Sequence, residues 1–463
     1  NKETTSKKVF FGLIWMYLER FLAQGISLLV SIVLARLLLP DDYGVIAIVQ
    51  IFISIANVFV GDGFASALVQ KKECKDIDYS TVTIFSVSYS LVLYAILFFA
   101  APYIAAFYEN PLIVPIIRVM AIRLPIAGIN TVQRAIVSRK MIFRKFFFAT
   151  LGGTIISAVI GIMLAYMGFG AWALVAQYLS NCVIDTIWLS VSLHWFPRFK
   201  FSFESLKSVV SYGWKLLATS ILTTAYSQSR SIIISKRYTS ADLAYVVKSE
   251  QFPNILSNNI NTSISQVLFP ALSSYQDDGE RLKQISRRAV QISSFIIAPM
   301  LIGLASISEE LISLLLTKRW IDCVPYMQIY CLIYLLQPIQ TAALQCMKAV
   351  GRSDYNLKLQ ILKSAFGLLT VFITLLYFDS VSAIVTSALV TEIFATVLNL
   401  PIVQKLIGYS IFEQLLDAAT PILLSGTMFT VVQSLPIGNF GIVFRMILKI
   451  AVGATIYIIL SVI

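Results

Sequence analysis

Apolar residues run along this chain in fourteen blocks, near residues 9–34, 45–64, 82–107, 112–133, 146–167, 171–194, 209–234, 243–272, 287–307, 323–347, 359–378, 380–403, 415–434 and 440–462. A helix rises 1.5 Å per residue, so about 20 apolar residues cross about 30 Å of hydrocarbon. Each block meets that length, and no interruption is long enough to hold a soluble domain. The pattern predicts an all-α integral membrane protein with about fourteen transmembrane helices.

The pattern also repeats. LARLLLPDDYGVIAIVQIF (Leu34–Phe52) aligns without gaps on ISKRYTSADLAYVVKSEQF (Ile234–Phe252), an offset of 200. Asp42 falls on Asp242, Gln50 on Glu250 and Phe52 on Phe252. Ala67 and Leu68 match Ala271 and Leu272, and Pro115 and Thr131 match Pro325 and Thr341 at an offset of 210. Two parallel six-helix lobes are therefore expected, over residues 1–200 and 201–408, with two unpartnered helices in 409–463. An even repeat gives both lobes the same orientation, related by an axis along the membrane normal. Tandem membrane repeats typically enclose a site near mid-bilayer that opens to either side. The expectation is a transporter.

Composition agrees. Of 463 residues, 58% are hydrophobic and 13% charged, with mean hydropathy +0.81; a soluble domain carries about 25% charge. The net charge of +12 would suggest nucleic acid in a soluble protein. Here Lys and Arg gather in alternate loops: Lys7 and Lys8; Lys71, Lys72 and Lys75; Arg134, Arg139, Lys140, Arg144 and Lys145; Arg198, Lys200 and Lys207; Arg281, Lys283, Arg287 and Arg288; Lys348, Arg352 and Lys358. The opposite loops hold Arg36, Lys236, Arg237, Lys318 and Arg319. That asymmetry places both termini in the cytoplasm. The N-terminal NKETTSKK and its apolar run read as the first span, because no small-residue cleavage site follows. Five cysteines without a CxxC pair and a lone His194 give no metal-ligand spacing, so no cofactor is expected.

Several segments resemble the polysaccharide-transport branch of the MATE-like flippase superfamily, the Wzx-type and colanic-acid-exporter-type proteins. They are LARLLLPDDYG (Leu34–Gly44), GDGFASALVQKK (Gly61–Lys72), RKMIFRK (Arg139–Lys145) and GFGAWALVAQ (Gly168–Gln177), then QFPNILSNNINTSISQVLFPALSSYQDD (Gln251–Asp278), KRW (Lys318–Trp320) with Pro325, and AVGRSD (Ala349–Asp354). They cover most of the first twelve spans, in order. The resemblance implies a MATE-like fold and movement of undecaprenyl-diphosphate-linked oligosaccharides (O-antigen, capsule or exopolysaccharide units) across the bacterial inner membrane. Glycan polymerase or biosynthesis proteins are the partners it suggests.

Ionised side chains at mid-membrane are costly, so they face a partner or a wet cavity. Arg20 and Arg123 are the most deeply placed cations, and Arg118, Arg230 and Lys248 lie nearer the outer ends, where snorkelling is the competing role. These five, with Asn254 and Asn258, are the candidate substrate-binding residues. The eighth span reads EQFPNILSNNINTSISQ from Glu250, polar in nearly every direction, which favours a cavity over a lipid-facing or single-stripe glue role. The acids Glu19, Glu250, Asp185 and Glu392 are candidates for ion coupling or for pairing with a cation. Lys363, Arg445 and Lys449 are expected to snorkel.

A multidrug exporter of the same fold is the alternative, but an acidic cavity would suit cationic drugs and the candidate charges here are mostly basic. A glycan polymerase or ligase would need a large outer loop with catalytic residues, and the longest outer loops have about a dozen residues. No G-x-x-x-x-G-K-[ST] phosphate loop occurs, which disfavours a primary pump. The chain is expected not to be an enzyme.

Overall fold

A computed structural model describes residues 21–61, 68, 74–140, 142–196, 200–276, 278–436 and 440–462. Among these the secondary structure is helical, with no strand. The helices are α1 (Phe21–Leu37), α2 (Pro40–Gly61), α3 (Asp76–Phe107), α4 (Ile113–Met120), α5 (Arg123–Lys140), α6 (Phe143–Tyr166), α7 (Ala171–Leu193), α8 (Phe203–Arg237) and α9 (Ser240–Ser273). There follow α10 (Gly279–Ser306), α11 (Ser308–Leu315), α12 (Cys323–Tyr334), α13 (Gln337–Ala349), α14 (Ser353–Tyr377), α15 (Val381–Ile407), α16 (Ile411–Gln433) and α17 (Ile442–Val462). Counting α4–α5 and α12–α13 as one span each, 11 helices are long and apolar enough to cross a membrane. With α1, described from Phe21, and the long, more polar α8 and α9, the described residues hold about the number of segments expected from the hydrophobic pattern.

The helix boundaries carry the duplication. α2 and α9 begin 200 residues apart, α3 and α10 203 apart, and the pairs α4 and α12, α6 and α14, α7 and α15 each 210 apart. The chain forms two compact units that divide within α9, between Ala244 and Tyr245, so α8 packs with the first unit. The repeat alone places the lobe boundary near residue 200.

Local chemistry sets where helices begin. Ser202, Asp278, Ser380 and Ser410 each accept a backbone N–H of the first turn, from Ser205, Arg281, Ala383 and Glu413. Such caps satisfy donors that a helix start leaves open. The Asp278 cap explains why α10 starts eight residues before its apolar block: ERLKQISRR is helical but too charged to lie in hydrocarbon. Two of the motif segments quoted above also meet. Asp42 of PDDYG accepts the backbone N–H of Ala171 at 3.0 Å, against Gly170, whose φ of +53° suits glycine. In the second repeat Asp242 accepts the N–H of Thr239 at 3.0 Å, as Asp42 accepts that of Leu39 at 3.1 Å.

Gly44 marks the closest approach of α2 to the start of α9. A Cβ there would sit 1.9 Å from the Ser240 carbonyl oxygen. Alanine would gain up to about 1 kcal/mol of helix propensity, whereas overpacking against backbone costs about 1–3 kcal/mol. Gly44→Ala is therefore expected to lower the folded fraction in detergent, read by size-exclusion chromatography. Gly25→Ala, which meets nothing within 4 Å, should not lower it; equal profiles for the two variants would refute this packing account.

In the second unit α16 lies along α10. Asp417 accepts from Arg287 at 2.7 Å, Gln291 at 2.7 Å and Tyr409 at 2.8 Å, and Glu413 pairs with Lys283 at 3.0 Å. A buried cluster including Leu272, Leu282, Met347, Leu400, Tyr409 and Ala418 forms the core beneath. The last two helices are thus integral to this unit, and α17 is held by Lys449 on Glu310 of α11 at 2.6 Å.

Candidate functional site: two polar cavities

In the first unit α5 begins at Arg123, just after the turn at Ala121 and Ile122 that interrupts the fourth span. Arg123, Ala127, Asn130, Thr131 and Arg134 recur at helical spacing and so share one face of α5. That face, Asn57 of α2 and Asn181, Cys182 and Asp185 of α7 line a cavity of about 370 Å³. Arg123 lies about ten residues after the start of α4 at Ile113, roughly 15 Å along the span.

Arg134 and Asp185 are joined. Arg134 Nη2 is 3.5 Å from Asp185 Oδ2, its Nε donates to Asn130 Oδ1 at 2.6 Å, and Asn130 Nδ2 donates to the same carboxylate at 3.1 Å. Gln133 braces the neighbouring turn of α7 through Thr186 and Ser190. Arg123 differs. Its guanidinium stacks 5.2 Å over Tyr178, while Nε and Nη1 are buried with no hydrogen-bond partner among the described residues. Among the described residues two arginines and one carboxylate line this cavity, a net charge of +1. Buried donors of a fixed charge are stabilised by an anion that accepts from them.

The second unit holds a cavity of about 380 Å³ of another character. Its lining takes Asn258, Asn261, Thr262 and Ser265 from α9, Gln337 and Gln340 from α13, Asn356, Gln360 and Lys363 from α14, and Asn399 from α15. Lys363 Nζ sits 2.7 Å from Glu392 Oε1. Gln340 donates to Glu392 Oε2 and to Thr396 Oγ1, both at 3.0 Å. The lone cation is thus neutralised, and the lining is dominated by amides.

The candidate residues distribute unevenly. Arg123 and Asp185 share the first cavity, and Asn258 lines the second with Glu392 just behind its wall. Asn254 accepts from Asn258. Arg118 is 4.3 Å from the Phe98 ring and donates to the Phe98 carbonyl at 3.4 Å; Arg230 lies against Tyr226. Lys248 is buried and donates to Gln251 at 3.4 Å, and Glu250 accepts from Tyr334 Oη at 2.8 Å. Arg20 and Glu19 lie outside the described residues. The polar α9 serves both roles weighed from its sequence: Ser257 and Asn261 donate to Gln337, and the next turn lines the cavity.

Three readings are corrected. Lys363 and Lys449 do not snorkel; each pairs with an acid on another helix, Glu392 and Glu310. Arg134, read as an inner-loop topology charge, lines the first cavity because α5 continues through it to Lys140. The amides of α13, α14 and α15 are not among the candidates drawn from the sequence, although Gln337 and Gln340 stand three apart inside one apolar span and Gln360 and Asn399 lie inside two others. Among the described residues no cluster of three or more His, Cys, Asp or Glu side chains suits a metal ion.

Comparison with known proteins places this architecture. The chain is 24% identical over 339 residues to the succinoglycan biosynthesis transport protein ExoT of Rhizobium meliloti, covering 73% of this chain and 68% of that one. It is 22% identical over 365 residues to the lipopolysaccharide biosynthesis protein WzxC of Escherichia coli, covering 77% and 73%. Among solved structures, the inward closed lipid II flippase MurJ superposes with a TM-score of 0.77 at 15% identity, over 98% of each chain. That likeness shows the fold. The model of the family described as polysaccharide biosynthesis protein matches residues 33–325, more than half the chain. This membrane protein of many apolar helices belongs to the polysaccharide biosynthesis protein family.

Proposed function

We propose that this protein moves polyprenyl-diphosphate-linked oligosaccharides from the cytoplasmic to the outer leaflet of the bacterial inner membrane by alternating access of its two lobes. The observation that carries this reading is Arg123, a deeply placed guanidinium whose Nε and Nη1 have no partner among the described residues, in a cavity whose described lining is net positive. A diphosphate loses much hydration on leaving the headgroup layer, and charge-assisted hydrogen bonds from Arg123 and Arg134 offset that loss. The polyprenyl tail stays in lipid. The names of the relatives, a succinoglycan transport protein and a lipopolysaccharide biosynthesis protein, support a glycan cargo. A multidrug exporter of cations is disfavoured by the same charge.

In this account both termini face the cytoplasm, and the Arg139–Lys145 segment meets anionic headgroups, each cation contributing about 1 kcal/mol. Asp185 and Glu392 are placed to couple ion movement to transport, because protonating either carboxylate would release its cation, Arg134 or Lys363. The lobes themselves are taken as residues 1–200 and 201–408, with 409–463 attached to the second. Glycan-assembly proteins of the same membrane are the partners envisaged.

Deleting the gene in its own host tests the function. The expected result is accumulation of polyprenyl-linked oligosaccharide on the cytoplasmic face and loss of the corresponding surface glycan, both reversed by a plasmid copy. Normal surface glycan without accumulation would reject the reading.

A further inference from the structure

We propose that the amide-lined cavity of the second unit is a sugar-recognition subsite, which binds uncharged hydroxyl-bearing rings of the transported glycan; this rests on the function proposed above. The described lining carries no net charge, since Lys363 is neutralised by Glu392 at 2.7 Å, so it has no surplus positive charge to offset a diphosphate. It is also too polar for an isoprenoid chain. Its volume of about 380 Å³ is within the range of about 300–1,000 Å³ for small-molecule sites.

The lining divides into amides already engaged and amides that are not. Asn261 is bound to Gln337, and Gln340 to Glu392. Asn356, Gln360 and Asn399 have no hydrogen bond to another described residue. Asn356 and Gln360 are four apart on α14, so they share a face, and Asn399 reaches the same cavity from α15. An amide presents two N–H donors and a carbonyl acceptor in one plane. Adjacent sugar hydroxyls, each both donor and acceptor, match that arrangement, whereas a carboxylate only accepts and an ammonium only donates. Gln360 and Asn399, inside apolar spans, are uncommitted amides that are unfavourable on their own in hydrocarbon, and bound hydroxyls satisfy them. A site built to hydrogen-bond hydroxyls also discriminates strongly against ligands that lack them. The cavity therefore selects the glycan, while the arginine-bearing cavity holds the feature common to all such lipids.

The test measures binding to purified full-length protein in nanodiscs. Two ligands are compared: undecaprenyl diphosphate carrying the host's complete repeat unit, and the same lipid carrying only the first sugar. Native protein should prefer the complete lipid. The double variant Gln360→Met, Asn399→Leu should reduce that preference about tenfold or more, as expected for loss of two or more hydrogen bonds. Arg123→Gln should weaken both lipids together and keep the preference. Asn356→Leu, at an exposed position, repeats the measurement should the double variant aggregate. An unchanged preference in a monodisperse variant overturns the subsite. Native protein that binds the two lipids equally tightly overturns it as well, with the flippase reading intact; binding neither overturns both.

Discussion

Arg123→Gln is expected to abolish glycan transport while leaving the protein in the membrane at near-native amount. Among the described residues the guanidinium has no hydrogen-bond partner at Nε and Nη1 and no ion pair, so its removal strands no described carboxylate. What folding loses is the contact with Tyr178 at 5.2 Å, about 0.5–2 kcal/mol for a cation over a ring. What transport loses is the partner of a desolvated anion, about 2–5 kcal/mol, or one and a half to three and a half orders of magnitude. The functional loss is the larger. Arg123→Lys should retain part of the activity, because charge survives while the planar fork is lost. Arg134→Gln should do more structural damage, since it leaves Asp185 without its cation. Transport and membrane abundance, measured on the same cells, separate these outcomes. A purely structural Arg123 predicts that abundance falls in step with transport, and full transport by Arg123→Gln contradicts the proposed role.

Lys449→Met is expected to destabilise the protein severely, and adding Glu310→Leu to rescue it. The two side chains are 12% and 5% exposed and their charged atoms 2.6 Å apart. Lys449 also donates to the Ser306 carbonyl at 3.2 Å. Removing one partner of a buried pair costs about 3–5 kcal/mol because the other charge is stranded, whereas replacing both by apolar groups is often neutral. The single variant should lose most of its folded, detergent-soluble population, and the double variant should recover it. Equal stability of single and double variants would show that the pair contributes nothing to holding α17.

Much of this was legible in the sequence, for physical reasons. Hydrocarbon demands long apolar helices, so the spans can be counted from the chain. A duplicated gene keeps its spacing, and the offset of 200 between Leu34 and Ile234 reappears in the starts of α2 and α9. The deep position of Arg123 also follows from counting residues. Pairing does not. Periodicity says how far along a helix Lys363 or Lys449 lies, but not that Glu392 or Glu310 faces it from another helix. Arg134 was assigned to a loop because its segment is charged, yet α5 stays helical to Lys140 and carries it along the cavity face. The cavity of the second unit is assembled from four helices contributing one to four polar side chains each. Only α9 is polar enough to stand out alone, so Gln360 and Asn399 looked like scattered amides in apolar spans.

The central claim is translocation of a lipid-linked glycan by this chain alone. Purified protein is reconstituted into sealed liposomes containing undecaprenyl diphosphate that carries the host's repeat unit, and the glycan exposed to an impermeant cleaving enzyme is followed with time. The account predicts that cleavage proceeds beyond the outer-leaflet fraction to the whole pool, and that liposomes bearing Arg123→Gln stop at the outer-leaflet fraction. Cleavage that stops there with the native protein as well would contradict it.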